Sequence, residues 1–217
     1  KPDTKLVLND LIRIPPNLNN EFKHLKIDTN KYSFLKDMII YDDEDFFIIN
    51  KPTNYPVHSG TNNDLGLIDI LRALFRNDFL NLCHRLDKGT SGCIVIAKNQ
   101  KFLRFFNDQL KKRSVKKIYH AVVKGYISEE IHLTENIDID TKGTFRKVSF
   151  NKDGKEAKSI LKPLKKLKES SLIQIEILTG RTHQIRAQTE KINKNIANDH
   201  KYGCPNFNQR LKKSKIS

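Results

Sequence analysis

Ser171–Leu178, SLIQIEIL, alternates apolar and polar residues along its length, and this alternation constrains the fold most tightly. Successive side chains of an extended strand point to opposite faces, so Ile173, Ile175 and Ile177 share one face and require a core beneath it. Lys116–Ile127, KKIYHAVVKGYI, is β-branched and aromatic-rich and predicts a second strand, closed near Gly125. Ile39–Tyr41 and Phe46–Ile49 are short apolar runs divided by four acidic residues, which predicts a hairpin. Cys93–Lys98, CIVIAK, predicts a compact buried strand, and Asp153-Gly154 predicts the turn of a further hairpin. Leu67, Ile68, Leu71, Leu74 and Phe75 recur at helical spacing, as do Leu103, Phe106 and Leu110. RTHQIRAQTEKI, entered through Thr179-Gly180, predicts a third helix. The mixture predicts an α+β fold, with a mixed but mainly antiparallel sheet flanked by helices and loops.

A chain of 217 residues accommodates one medium domain with an appendage, and 37% hydrophobic residues suffice for one core when so patterned. No window approaches the roughly 18 uninterrupted apolar residues of a spanning helix, which argues against a membrane protein. Residues 1–30 are broken by Pro2, Pro15 and Pro16 and read as linker; the first residue is Lys1, so the chain is expected to begin inside a longer product. Cys83, Cys93 and Cys204 lie far apart without a CxxC, which fits neither a disulfide framework nor a zinc knuckle and suits a reducing compartment. The net charge of +15 could attract nucleic acid, an anionic membrane surface, or only water.

Three segments place reactive polar residues where loops meet regular elements. KPTNYPVHSG, residues 51–60, is stiffened by two prolines and projects Lys51 and His58. CHRLDKGTSGCIVIAK, residues 83–98, carries Arg85 and Asp87 into a turn that feeds a strand; its carboxylate suits a nucleophile or base, while a local ion pair is the simpler reading. LTGRTHQIRAQ, residues 178–188, clusters Arg181, His183 and Arg186 at a predicted helix start, a setting for an anion or for a carboxylate needing a permanent cation.

Together these segments resemble the RluA family of pseudouridine synthases. HRLDKGTSG, GRTHQIR and KPTNYPVH are similar to its three signature motifs, KIYHAVVKG to its K-x-Y-x-A-x-V-x-G strand, and NIANDHKYG to its later G-x-P-I-x-x-D-x-x-YG segment. They occur in the family's order between about residues 36 and 208. The nearest flavour is the bacterial branch that modifies large-subunit ribosomal RNA and carries an S4 RNA-binding domain ahead of the catalytic domain; KLVLNDLIRIPP resembles the close of such an S4 domain. The implied organisation is an S4-like tail and linker over residues 1–30 and a catalytic domain over 31–217.

The resemblance implies a role for each matching position. Asp87 corresponds to the aspartate on which catalysis depends, Tyr119 to the tyrosine that packs on the target base and handles its C5 proton, and Arg186 to the partner of the aspartate. Arg85 corresponds to the arginine that displaces the target nucleotide, and Leu178 to an apolar lining of the uracil pocket. Lys51, His58, Arg181 and His183 complete the expected substrate-binding set. The isomerisation involves no redox change, so the resemblance implies no cofactor and no metal. The implied partner is structured RNA, ribosomal before transfer RNA, bound by a monomer in the cytoplasm; a eukaryotic organelle would leave the same composition.

Two departures stand out. The first motif normally reads KPxG, and here Asn54 replaces the glycine; asparagine tolerates positive φ better than most residues, so the turn can persist. The family's domain also continues beyond the YG segment with a histidine-containing strand and a closing helix, so the C-terminal part is expected to be missing. A catalytically silent RNA-binding or ribosome-assembly relative is the alternative. A metal hydrolase built on His84, Asp87 and His183 lacks supporting ligand spacing.

Overall fold

The computed structural model describes residues 7, 27–59, 65–139 and 147–213. The expected S4-like tail therefore lies almost wholly outside the described residues. A 3-10 turn, Asn30–Leu35, buries Leu35 completely, so compact structure begins earlier than the apolar runs predicted.

Among the described residues nine strands form two sheets, and every pairing is antiparallel. The first sheet has β1 (Ile39–Asp42), β2 (Phe46–Lys51), β3 (Asn81–Leu82) and β4 (Gly92–Ala97) in the order β1-β2-β4-β3. The β1–β2 hairpin and the CIVIAK strand are where the sequence predicted them. Helix α1 (Leu67–Phe75) lays Leu67, Ile68, Ile70 and Leu71 against Phe47, Ile49, Ile94 and Ile96, all buried. Burying each such side chain contributes roughly 1.5–3 kcal/mol. Helix α2 (Gln100–Lys111) is capped by Asn99, whose side chain accepts the Phe102 N–H at 2.9 Å.

The second sheet has β5 (Lys117–Lys124), β6 (Ile131–Ile139), β7 (Val148–Phe150), β8 (Lys155–Lys166) and β9 (Ser170–Ile177) in the order β5-β9-β8-β6-β7. Ile173, Ile175 and Ile177 are buried, as the alternation requires, with Val123, Leu133 and Leu161. Tyr119 packs against both cores and so stands at the seam between the sheets.

The predicted Asp153-Gly154 hairpin is corrected. A turn is present, but β7 and β8 do not pair; β6 lies between them, and Ile137 is the partner of both Phe150 and Lys155. The turn crosses the β6 backbone so closely that a Cβ on Gly154 would lie 2.7 Å from the Ile137 carbonyl carbon. Glycine is demanded here by close approach, not by a reversal between paired strands. The third helix, α3 (Gln184–Lys191), begins three residues later than Arg181, because His183 adopts the left-handed conformation at φ 51°. Helix α4 (Pro205–Lys213) takes in the first two residues of the KKSKIS segment, expected to be frayed; residues 214–217 lie outside the described ones.

Candidate active site

The loop between β3 and β4 carries Asp87 to the mouth of the first sheet. Thr90 N–H donates to the Asp87 carbonyl at 3.0 Å, closing a turn, and Gly92, at φ 122°, lets the chain enter β4. Leu86 is buried beneath, so its neighbours Arg85 and Asp87 point outward: Arg85 is exposed and Asp87 half-buried.

Lys51 sits behind this loop. It is fully buried, and its Nζ donates to the carbonyls of Pro52 at 3.0 Å, Tyr55 at 2.9 Å and Lys88 at 3.2 Å. Burial lowers its pKa to about 8, against the opposing pull of Asp87. The lysine thus braces the motif-one loop against the aspartate loop and has no surface left for a ligand. Asn54 holds φ 67°, so the asparagine occupies the turn conformation in which glycine was expected. His58 is exposed beside the start of α1, and among the described residues no hydrogen bond or ion pair joins it to Asp87.

Arg186 reaches Asp87 from α3: its Nη1 donates to Asp87 Oδ2 at 2.8 Å. A buried polar lattice fixes the helix. Thr179 Oγ1 donates to Gln184 Oε1 at 2.7 Å, Gln184 Nε2 donates to the Lys158 carbonyl at 2.9 Å, and Ser159 Oγ donates to Gln188 Oε1 at 2.7 Å. Satisfied polar groups of this kind specify one geometry, which explains how a helix with little apolar surface docks accurately on β8. Arg181 is exposed, and its Nε donates to the Glu156 carbonyl at 3.0 Å.

Two residues with no assigned role complete the site. Asp199 accepts from Arg186 Nε at 2.7 Å and Nη2 at 3.0 Å, while Tyr202 lies fully buried with its ring 4.9 Å from the guanidinium carbon. Both belong to the NIANDHKYG segment, so the signal was present without a function attached. The Tyr202 hydroxyl accepts the Val148 N–H at 2.9 Å and meets His183 Nδ1 at 3.0 Å. The other ring nitrogen of His183, Nε2, stands 3.8 Å from Asp87 Oδ2. Burial, ahead of the opposing Asp87, holds the His183 pKa below its ordinary value, so the ring is neutral.

Burial disfavours the charge on Arg186, but its hydrogen bonds to Asp199 and Asp87 outweigh it and hold its pKa above the ordinary arginine value. Asp199 behaves in mirror fashion: burial would raise its pKa, and Arg186 with two backbone N–H groups brings it below the usual carboxylate value. The Tyr119 hydroxyl is kept protonated by burial first and by Asp87 second. The arrangement offers a carboxylate paired with a permanent cation, beside an aromatic face and a phenol. Leu178, just past β9, is 39% exposed and available to a ligand. Asp87, Tyr119, His183 and Arg186 are thus brought together. His84, in contrast, turns away: its Nε2 accepts the Val95 N–H at 3.1 Å.

Residues 45–191 match the family described as RNA pseudouridylate synthase. The chain is 35% identical to ribosomal large subunit pseudouridine synthase C of Pasteurella multocida, over 97% of this chain and 66% of that protein. It is 37% identical to the protein of the same name from Buchnera aphidicola subsp. Baizongia pistaciae, over 96% of this chain and 68% of that one. It spans about two thirds of the length of these curated relatives. Among solved structures, human RNA pseudouridylate synthase domain containing 4 superposes with TM-score 0.69 at 25% identity, covering 87% of this chain and 80% of the other. The human domain containing 1 protein gives TM-score 0.68 at 26% identity, over 79% and 71%.

Proposed function

The chain belongs to the RNA pseudouridylate synthase family, and we propose that it isomerises uridine to pseudouridine in large-subunit ribosomal RNA, with Asp87 as the catalytic carboxylate. The observation that carries this reading is the 2.8 Å hydrogen bond from Arg186 to Asp87 in a half-buried cleft beside Tyr119. The curated relatives named as acting on the ribosomal large subunit supply the substrate class.

The reaction breaks the N1–C1′ bond, turns the freed uracil, forms C5–C1′, and returns the C5 proton to N1 through solvent or a relay. No atom is gained or lost. Asp87 can add to C1′ as the base departs, or remove the C2′ proton to give a glycal; on both routes Arg186 stays beside it as a fixed cation. Tyr119 supplies a stacking face for the extruded base and a hydroxyl for C5. Extrusion costs a few kcal/mol, offset by stacking and by phosphate contacts with the basic surface. Arg85, exposed next to Asp87, is placed to occupy the space the base vacates.

The test uses ribosomal RNA tritiated at uracil C5. Tritium release by the wild-type chain that disappears in Asp87→Asn supports the assignment. Tight RNA binding without release would make the chain a silent RNA-binding relative.

A further inference from the structure

Arg186 has three guanidinium nitrogens, and all three are committed. Nε and Nη2 donate to the two oxygens of Asp199, at 2.7 and 3.0 Å, and Nη1 alone donates to Asp87, at 2.8 Å. The fork on Asp199 is side-on and bidentate, the geometry that a planar guanidinium makes and an ammonium cannot. We propose that Asp199 is a positioning residue: it fixes the rotation of Arg186 so that the remaining amino group, Nη1, is aimed at Asp87.

Asp199 is itself held on all sides. Its side chain is only 6% exposed, and Oδ1 also accepts the backbone N–H groups of Lys201 at 2.8 Å and Tyr202 at 2.9 Å. The Asp199 carbonyl accepts from Asn208 Nδ2, on α4, at 3.2 Å. Chain closure at Gly203 is so tight that a Cβ there would lie 1.9 Å from that carbonyl oxygen. Beneath the guanidinium the Tyr202 ring fills the remaining direction. A long, flexible arginine is thereby reduced to one geometry before substrate arrives, the pre-organisation a charged catalytic pair requires.

A second consequence concerns charge. Asp199 shares the positive charge of Arg186, so the cation does not neutralise Asp87 alone. The other groups facing Asp87 are Lys51 from β2, Tyr119 from β5, His183, and Lys201 from the loop after α3. Without Asp199 the guanidinium could turn and pair with Asp87 side-on or end-on, and the one fixed contact would be lost.

The inference rests on the Asp87 reading above, and the test separates the two. Single-turnover tritium release at saturating RNA is measured for Asp199→Asn, Arg186→Met and the double variant. Asp199→Asn is expected to be about 10- to 100-fold slower than wild type, with RNA affinity within threefold. The double variant should be no slower than Arg186→Met, because a residue acting only through Arg186 has nothing left to lose. An unchanged rate in Asp199→Asn, or losses that multiply in the double variant, would overturn the proposal. If Asp199→Asn does not fold, the wild-type chain still decides by NMR: the Arg186 Nε–H resonance, identified by its absence in Arg186→Met, should be downfield and slow to exchange, and a free-arginine position would refute the clamp. Absence of release by wild type would instead sink the proposed function, while leaving the NMR result standing.

Discussion

Lys51 and Lys88, 37 residues apart, are joined by a 3.2 Å hydrogen bond from the ammonium of the first to the carbonyl of the second, so a buried cation braces the loop that presents Asp87. Replacing it by the similarly shaped methionine leaves three carbonyls without their donor. Lys51→Met is therefore expected to lose on the order of 2–4 kcal/mol in urea unfolding. Its tritium-release rate should fall as well, because the aspartate loop is no longer pinned. A variant as stable as wild type would show that the carbonyls find water.

The same lysine makes a pH prediction. Its folded pKa, about 8, lies below the ordinary 10.5, so between those values the unfolded chain binds more protons than the folded one. Stability contributed by this group then rises with pH across the window and is lost as pH falls through it. The stability difference, wild type minus Lys51→Met, should grow from pH 8 to pH 10.5. A flat difference would mean that the buried ammonium titrates like a free lysine.

Tyr119 lies opposite Ile175 in the β5–β9 pairing and touches both cores, so Tyr119→Phe should fold normally and bind RNA within a few-fold. The phenol is protonated at neutral pH, and in the proposed mechanism it is the donor or relay. Removing it should slow C5 proton loss by about 10²- to 10⁴-fold. Normal tritium release by this variant would confine Tyr119 to stacking.

Lys117 opens β5 with its Nζ beside Gly180: a Cβ there would be 3.5 Å away. Burial, then Arg113 and Arg181, lower its pKa, the mark of cations crowded together; among the described residues these three make no ion pair. A phosphate of the bound RNA would relieve the crowding. Lys117→Gln should reduce the slope of log affinity against log salt by about 0.7–0.9, while leaving single-turnover release at saturation unchanged. An unaltered slope would place the RNA backbone elsewhere.

Much of this was legible from residue patterns, because strands and helices betray themselves by period. Ile173, Ile175 and Ile177 announce one buried face whatever lies opposite. Asp153-Gly154 misled because a turn dipeptide reports a change of direction and not which strands pair; the glycine serves the crossing over Ile137. The start of α3 was misplaced because His183 takes positive φ, which a non-glycine residue adopts only uncommonly. Among site residues, Asp87, Tyr119 and Arg186 could be named from their motifs. The burial of Lys51 could not, since it depends on carbonyls from two loops meeting around one ammonium. Asp199 and Tyr202 stood in a recognised segment, but their work becomes visible only when Arg186 is placed between them and Asp87.

The Asp87–Arg186 bond spans 99 residues, and the Asp199 clamp follows 13 residues later still. During synthesis the first sheet emerges with its carboxylate exposed long before the cation exists. The arginine in turn appears before the carboxylate that steadies it. Translation stalled between these last two points would yield a chain with every described strand made and an Asp87–Arg186 pair free to rotate. Domains acquire structure progressively as they are made, and this one would complete the Asp87–Arg186–Asp199 arrangement last.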